Sequence, residues 1–274
     1  MPGDAALEFF ARLLHERFFQ RISATGGQDR ARDAKGGGEG FQALRIMGLP
    51  VQCKDFGTAK DECRMTNAFY IRTLNFDIRT SMIDPEVLLQ GYRLGVFPMA
   101  MDDGEIEWFS PDPRAILPLE KFHIPHTLER VVRKKSFEIR IDTSFPEVMQ
   151  ECARRPETWI NDEIIESYTR LHQLGHAHSV EAWQNDELAG GLYGVVIGGA
   201  FFGESMFHHV RDASKIALLA LAEHLRKQRF ALLDTQWLTP HLQKFGAIEI
   251  PRHQYLHLLN AAVNLSRSFN EEHL

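Results

Sequence analysis

The sequence predicts a mixed α/β protein, and three observations predict it. Apolar residues recur at helical spacing in some segments, as Ile216, Leu219, Ala220 and Leu225 do. Other segments alternate between apolar and polar, as residues 178–184 do, and end at turn pairs such as Asn185-Asp186. With 44% hydrophobic and 25% charged residues in a chain of 274, there is ample material for a buried core.

The elements follow in chain order. Leu7, Phe10, Leu13, Leu14 and Phe18 suit an amphipathic helix over roughly residues 5–22. Residues 26–40 are rich in Gly and alternating charge and read as linker, and residues 41–80 show no clean period. Residues 1–80 are therefore taken as an appended, partly helical and flexible segment of unknown role. From Asp84 the pattern sharpens: Asp84 is a good N-cap, Pro85 suits the first helical position, and Val87, Leu88 and Tyr92 form an apolar stripe ending near Gly95. A Pro-rich bend is expected over residues 108–114, then a strand from Ala115. A short helix over 127–135, a strand over 137–142, and helices over 144–153 and 161–174 come next.

The second half reads more clearly. Strands are expected over 178–184, 188–197 and 200–206, with turns at Asn185-Asp186 and Gly198-Gly199. Asp212 is placed to cap a long helix running to about Gln228. A short buried strand over 230–235, a helical turn over 241–245, a strand over 248–250 and a last helix from Arg252 complete the order. Three strands, helix, strand, helix and strand is the order of a GNAT-type acyl-transfer core. Order alone specifies no chemistry.

Bulk properties bound the function. A net charge of −6 excludes a basic coat over the whole surface, so any nucleic-acid contact must be a local patch. Cys53, Cys63 and Cys152 form no CxxC pair and read as free thiols in a reducing compartment. The longest apolar run, residues 192–202, is broken by Gly194, Gly198 and Gly199 and is too short to span a bilayer. Asp4 and Glu8 stand where a signal peptide carries positive charge, so a cytoplasmic protein with no membrane partner is expected.

A series of segments carries a resemblance. They are Gly95-Val96-Phe97-Pro98, Trp108-Phe109-Ser110-Pro111-Asp112-Pro113-Arg114, Thr158-Trp159-Ile160 and Gly175-His176-Ala177-His178-Ser179-Val180-Glu181. Gly190-Gly191-Leu192-Tyr193-Gly194-Val195, Gly203-Glu204-Ser205-Met206-Phe207, Ala213-Ser214-Lys215 and Leu233-Asp234-Thr235-Gln236 continue it. In this order, over about residues 84–260, the set resembles the leucyl/phenylalanyl-tRNA–protein transferase family. The resemblance implies an α/β (α+β) architecture: a GNAT-like acyltransferase C-terminal domain over 156–274 and a smaller α/β N-terminal domain over 81–155. It also implies transfer of Leu, Phe or Met from aminoacyl-tRNA to the N-terminal amine of an acceptor protein marked for degradation. The family often has Trp after its Gly-x-Phe-Pro element, where this chain has Met99. If that aromatic stacks on the 3′-terminal adenosine, Met99 keeps apolar contact and loses part of a stacking worth about 1–3 kcal/mol.

Such a reaction joins an amine to an activated ester. The enzyme must align the two, stabilise an oxyanion and move a proton. Strand spacing would set Asp234 and Gln236 on one side of the sheet, and the resemblance gives this pair the catalytic role. An amide is a poor base, so Gln236 is expected to hold the amine or relay its proton, with Asp234 orienting the amide. Without the resemblance, the pair reads as an ordinary polar strand end. By the same resemblance Leu192, Met206, Leu221, Leu225 and Leu233 form the pocket for the aminoacyl side chain. Singly, each could equally be plain core. A Met wall suits both branched and aromatic side chains. Trp159 corresponds to an adenosine contact and Glu204 to a group near the ester or ribose; a carboxylate within an apolar run needs buried partners.

Arg130, Arg133, Lys134 and Lys135 are the candidate grip on the tRNA acceptor stem through its phosphates, against the plainer reading of a solvated face. His172, His176 and His178 lack the partners of a metal site, so neither metal nor cofactor is expected. A monomer is expected. One rival is an acyl-CoA-dependent N-acyltransferase, but residues 208–213 lack the glycines that cradle pyrophosphate, and Asp212 would repel it. The other is a non-catalytic RNA- or peptide-binding module, against which Asp234 and Gln236 stand. Whether the acceptor begins with a basic or an acidic residue is left open.

Overall fold

A computed structural model describes residues 45–48, 69–72, 82–155 and 158–270, the first two stretches by backbone alone. The helix expected over 5–22, the linker over 26–40, and Cys53 and Cys63 lie outside the described residues. Two strands, β1 (Arg45–Gly48) and β2 (Phe69–Arg72), fall in the stretch where no period was visible.

Asp84 caps α1 (Pro85–Arg93): its Oδ1 accepts the N–H of Glu86 at 2.8 Å and of Val87 at 3.4 Å. Such a cap contributes about 1 kcal/mol. Gly95 follows with φ 78, and a Cβ there would lie 2.9 Å from Leu256 Cδ2. Only glycine suits that turn.

β3 (Phe97–Ala100) and β4 (Ile106–Ser110) then form an antiparallel pair, Pro98 opposite Trp108. The bend expected from residue 108 therefore begins later, since Trp108, Phe109 and Ser110 are buried strand residues. Both strands bury side chains on each face, so they show no alternation, and the prolines masked them. Pro98 is tolerated because β3 is the edge of a four-stranded sheet ordered β1-β2-β4-β3.

β5 (Arg114–Ile116) leads through a short 3-10 turn (Leu119–Lys121) to α2 (His126–Lys134). β6 (Glu138–Ile141), α3 (Phe145–Ala153), α4 (Asp162–Gln173), β7 (Ala177–Gln184), β8 (Glu187–Ile197) and β9 (Ala200–His208) follow. The rest is α5 (Ala213–Lys227), β10 (Leu232–Gln236), α6 (Pro240–Gln243), β11 (Ile248–Ile250) and α7 (Arg252–Val263). Each lies within a few residues of its expected place.

The strands β5 to β11 make a seven-stranded sheet ordered β11-β5-β10-β9-β8-β7-β6. Its neighbours are antiparallel except β9 and β10, which run parallel because α5 carries the chain back between them. Alternation along β8 divides the core: Tyr193, Val195 and Ile197 pack with α1, α3, α4 and α7, while Leu192 and Val196 pack with α5.

Asp212 departs from its expected role. It precedes α5 with φ 71 and makes no side-chain capping bond; its carboxylate instead pairs with Lys215 and, at 3.6 Å, with Arg211. The left-handed backbone aims the side chain away from the first N–H groups.

Candidate active site

β9 and β10 pair from Ala200 and Leu232 as far as Phe202 and Asp234, and no further. Two irregularities sit just past that point. On β9, Gly203 and Ser205 face Gly194 and Tyr193, leaving Glu204 as the extra residue of a bulge. The strands can pass this closely because residue 194 has no side chain: a Cβ there would lie 2.3 Å from Phe202 O. On β10 the register against β5 also slips between Asp234 and Gln236. Gln236 takes φ 56, and Trp237 N–H bonds Thr235 O at 2.6 Å, closing a γ-turn centred on Gln236. A non-glycine residue held there is strained, as residues at functional sites often are.

The parting strands open a cleft of about 510 Å³. Leu192, Met206, Leu218, Leu221 and Leu233 line it on the α5 side of the sheet. Phe97, Met99, Trp159 and Trp237 line it on the other. The main chains around Met99 and Trp159 are tied together, Ala100 N–H donating to Trp159 O at 3.1 Å. Glu204 and Gln236 also face the cleft, and Gln236 Nε2 donates to Glu204 Oε1 at 3.1 Å. Tyr92 Oη donates to the same oxygen at 2.8 Å and is itself hydrogen-bonded to Tyr168 Oη. Burial pushes the Glu204 carboxyl up to about 8; the Tyr92 bond opposes that shift and the charge of Asp234 adds to it.

Asp234 occupies a different place from the one strand spacing suggested. Alternation turns Leu233 and Thr235 into the cleft and Asp234 behind it, and only the γ-turn brings Gln236 back to the cleft. The Asp234 carboxylate is fully buried. It takes two bonds from Arg114, Nε to Oδ1 at 3.0 Å and Nη2 to Oδ2 at 2.6 Å, and one from Tyr255 Oη at 2.7 Å. Its link to Gln236 runs through the main chain: Gln236 N–H donates to Asp234 Oδ1 at 2.9 Å. Glu204, not Asp234, therefore orients the Gln236 amide. Arg114 is almost as buried, donates to Gly95 O at 3.2 Å and lies over the rings of Phe97 and Tyr255. Burial alone would lower its pKa, but Asp234 raises it above the ordinary arginine value.

Of the residues expected at the site, Met99, Trp159, Leu192, Glu204, Met206, Leu221, Leu233 and Gln236 meet at this cleft. Leu225 does not: it lies a helical turn beyond Leu221, wholly buried in the core under α5. Arg130, Arg133 and Lys134 are exposed on α2 and Lys135 ends that helix with φ 48; none faces a carboxylate among the described residues. His178 Nδ1 meets Asp142 Oδ2 at 2.7 Å, its ring stacked on Phe269, while His172 Nδ1 meets Ala177 O at 2.8 Å. Cys152 is a free, buried thiol pushed up to about 12 by that burial.

Sequence reasoning assigned no role to Arg114, Tyr92, Tyr168, Tyr255, Thr235 or Trp237. One signal was present for the first: an arginine between Pro113 and the apolar run Ala115-Ile116-Leu117 demands a buried counter-charge. The tyrosines offered no signal, because nothing local distinguishes a hydroxyl that reaches a carboxylate from one that reaches water.

Comparison with known proteins bears on this site. Residues 81–112 match the model of the leucyl/phenylalanyl-tRNA protein transferase N-terminal domain, and residues 116–260 match the leucyl/phenylalanyl-tRNA protein transferase model itself. A leucyl/phenylalanyl-tRNA–protein transferase of Herpetosiphon aurantiacus is 56% identical over 191 residues, 69% of this chain and 100% of the relative. One from Akkermansia muciniphila is 55% identical over 186 residues, 66% of this chain and 96% of the relative. A solved structure described as that of L-PGS from Bacillus licheniformis overlaps 55% of this chain and 49% of its own, with 12% identity and a TM-score of 0.33, a likeness too distant to bear on the site. The matched stretches hold the Glu204 bulge and the Gln236 turn, and with them the chain belongs to the leucyl/phenylalanyl-tRNA–protein transferase family and is an aminoacyltransferase.

Proposed function

We propose that this cleft receives the aminoacylated 3′ end of a tRNA carrying Leu, Phe or Met and transfers that residue to the α-amine of an acceptor protein, marking it for degradation. One observation carries the reading: Glu204 and Gln236 bond to each other at the polar centre of an otherwise largely apolar cleft, where β9 and β10 part. The apolar end beside Leu192, Met206, Leu221 and Leu233 takes the donor side chain, and Trp159 with Met99 takes the adenosine.

The chemistry then follows from the groups present. The acceptor amine, with an ordinary pKa of about 7.7–8.0, is partly neutral near neutrality. Its lone pair attacks the ester carbonyl carbon; the C–N bond forms, the bond to the ribose oxygen breaks, and the amine proton ends on that oxygen. Because Gln236 Nε2 is committed to Glu204, its amide oxygen is left to accept an N–H of the amine. Glu204, when ionised, accepts the proton in passing. Asp234 and Arg114 are positioning residues: they hold the γ-turn that aims the amide.

The exposed cations Arg130, Arg133, Lys134 and Lys135 grip the acceptor stem. We assign residues 81–155 to a smaller N-terminal domain, 156–274 to a GNAT-like catalytic domain, and 1–80 to an appended segment. We take the protein to act as a monomer, and the tRNA donor fits a cytoplasmic setting. Among the described residues no helix is long and apolar enough to cross a membrane. An acyl-CoA donor is disfavoured by residues 208–213, which lack the glycines whose main-chain N–H groups would cradle its pyrophosphate ahead of α5.

The test is transfer itself. Purified protein, leucyl-tRNA and a peptide array with every N-terminal residue should yield Leu-extended products from a defined subset. Absence of product with every peptide, or equal product from leucyl-CoA, would overturn the reading.

A further inference from the structure

Two donor groups at the cleft have no part in the transfer chemistry. Arg155, in the segment between α3 and α4, lines the cleft four positions before Trp159. Its Nη2 donates to Met206 O and, at 3.4 Å, to Ser205 Oγ. These partners are neutral, so the guanidinium keeps its whole charge, and its remaining N–H groups are uncommitted among the described residues. His208, at the end of β9, also lines the cleft and is exposed. The neighbouring charges are spent on one another: Arg154 pairs with Glu151, and His209 Nε2 reaches Glu151 Oε2 at 3.0 Å.

We propose that Arg155 and His208 form a phosphodiester site for the linkage 5′ to the terminal adenosine of the donor. The inference rests on the transfer reading above and adds a contact to it. Trp159 and the Glu204–Gln236 pair fix the two ends of the nucleoside, so its 5′ phosphate leaves along the remaining side. Along β9 a rise of about 3.3 Å per residue puts the Met206 carbonyl, where Arg155 is held, roughly 7 Å beyond Glu204. That is about the reach across one nucleotide. A guanidinium fork matches a phosphodiester, and the imidazole of His208 adds a further donor.

The experiment measures affinity for the non-hydrolysable 3′-leucyl-amide of adenosine, with and without a 5′-phosphate. Wild type should hold the phosphorylated form about tenfold tighter. Arg155→Ala should abolish that preference while leaving affinity for the phosphate-free form unchanged. Arg155→Lys should keep part of it, and His208→Ala should reduce it. The salt slope of leucyl-tRNA binding should fall by about 0.7 in Arg155→Ala, the value for one single-strand phosphate no longer neutralised. Equal weakening of both ligands in Arg155→Ala would overturn the site, showing that Arg155 only shapes the cleft through Met206. Equal affinities in wild type would overturn it too, while wild-type transfer from leucyl-tRNA, scored separately, would still stand.

Discussion

Glu204 Oε1 accepts a hydrogen bond from Gln236 Nε2 at 3.1 Å, bridging the gap where β9 and β10 stop pairing. Each residue reaches the bridge through a local break in its strand: a bulge on β9, a γ-turn on β10. Neither break is needed to form a sheet. Regular strands would have sent at least one of these side chains elsewhere.

The strain at Gln236 separates stability from activity. A left-handed residue other than glycine costs about 1–2 kcal/mol, so Gln236→Gly should be about 1 kcal/mol more stable than Gln236→Ala in urea denaturation. Both lack the amide, and both should transfer about a hundredfold more slowly than wild type. A wild-type rate in either variant would remove Gln236 from the mechanism.

Asp234 and Arg114 should behave as a coupled pair. Asp234→Ala leaves the buried guanidinium without its counter-charge and should cost about 3–5 kcal/mol of stability. Replacing both, as Arg114→Met with Asp234→Leu, should restore much of that stability, because no charge then remains buried. Activity should stay low in the double variant, since the Gln236 N–H still lacks its acceptor. Recovery of turnover together with stability would show that the pair is scaffold alone.

These two residues also show what the sequence could and could not reveal. Periodicity found the helices and strands from α4 onward, because β7 to β9 and α5 are long and bounded by clear turns. It missed β3 and β4, where burial on both faces and nearby prolines hide the strand pattern. Family resemblance pointed to Asp234 and Gln236 as a pair, yet ideal strand geometry misplaced them, since residues two apart share a face only in an unbroken strand. The γ-turn that reverses the expectation depends on Arg114, Tyr255 and Ile116, all distant in sequence. Tyr92 and Tyr168 are in the same position: their meeting with Glu204 is a tertiary fact with no local trace.

The basic end of α2 gives a prediction that involves no fold change. Lys134→Ala with Lys135→Gly removes two exposed charges, and glycine suits the φ of 48 at residue 135. Stability should hold or rise slightly. Leucyl-tRNA binding should weaken, and its salt slope should fall by about 0.9 for each duplex phosphate that is no longer neutralised. An unchanged slope would put the acceptor stem on another face.

The last prediction concerns the proton on Glu204. Its carboxyl titrates at about 8 in the folded chain against an ordinary 4.5, chiefly through burial. Between those values the folded state keeps a proton that the unfolded state has released. The stability this group contributes is therefore complete below about pH 4.5 and is lost as pH rises through about 8. Gln at this position is neutral throughout and can accept the same bonds from Tyr92 and Gln236. The Tm of Glu204→Gln relative to wild type should accordingly be lowest near the acid end of that window, climb with pH, and level off above it. Transfer should show the opposite dependence: wild-type turnover should rise toward about pH 8 as the carboxylate becomes able to accept a proton, and the variant should lack the part of that rise not due to the amine. A Tm difference that stays constant across the window would mean that the carboxyl ionises alike in both states, and Glu204 would then hold the ribose or the ester without handling the proton.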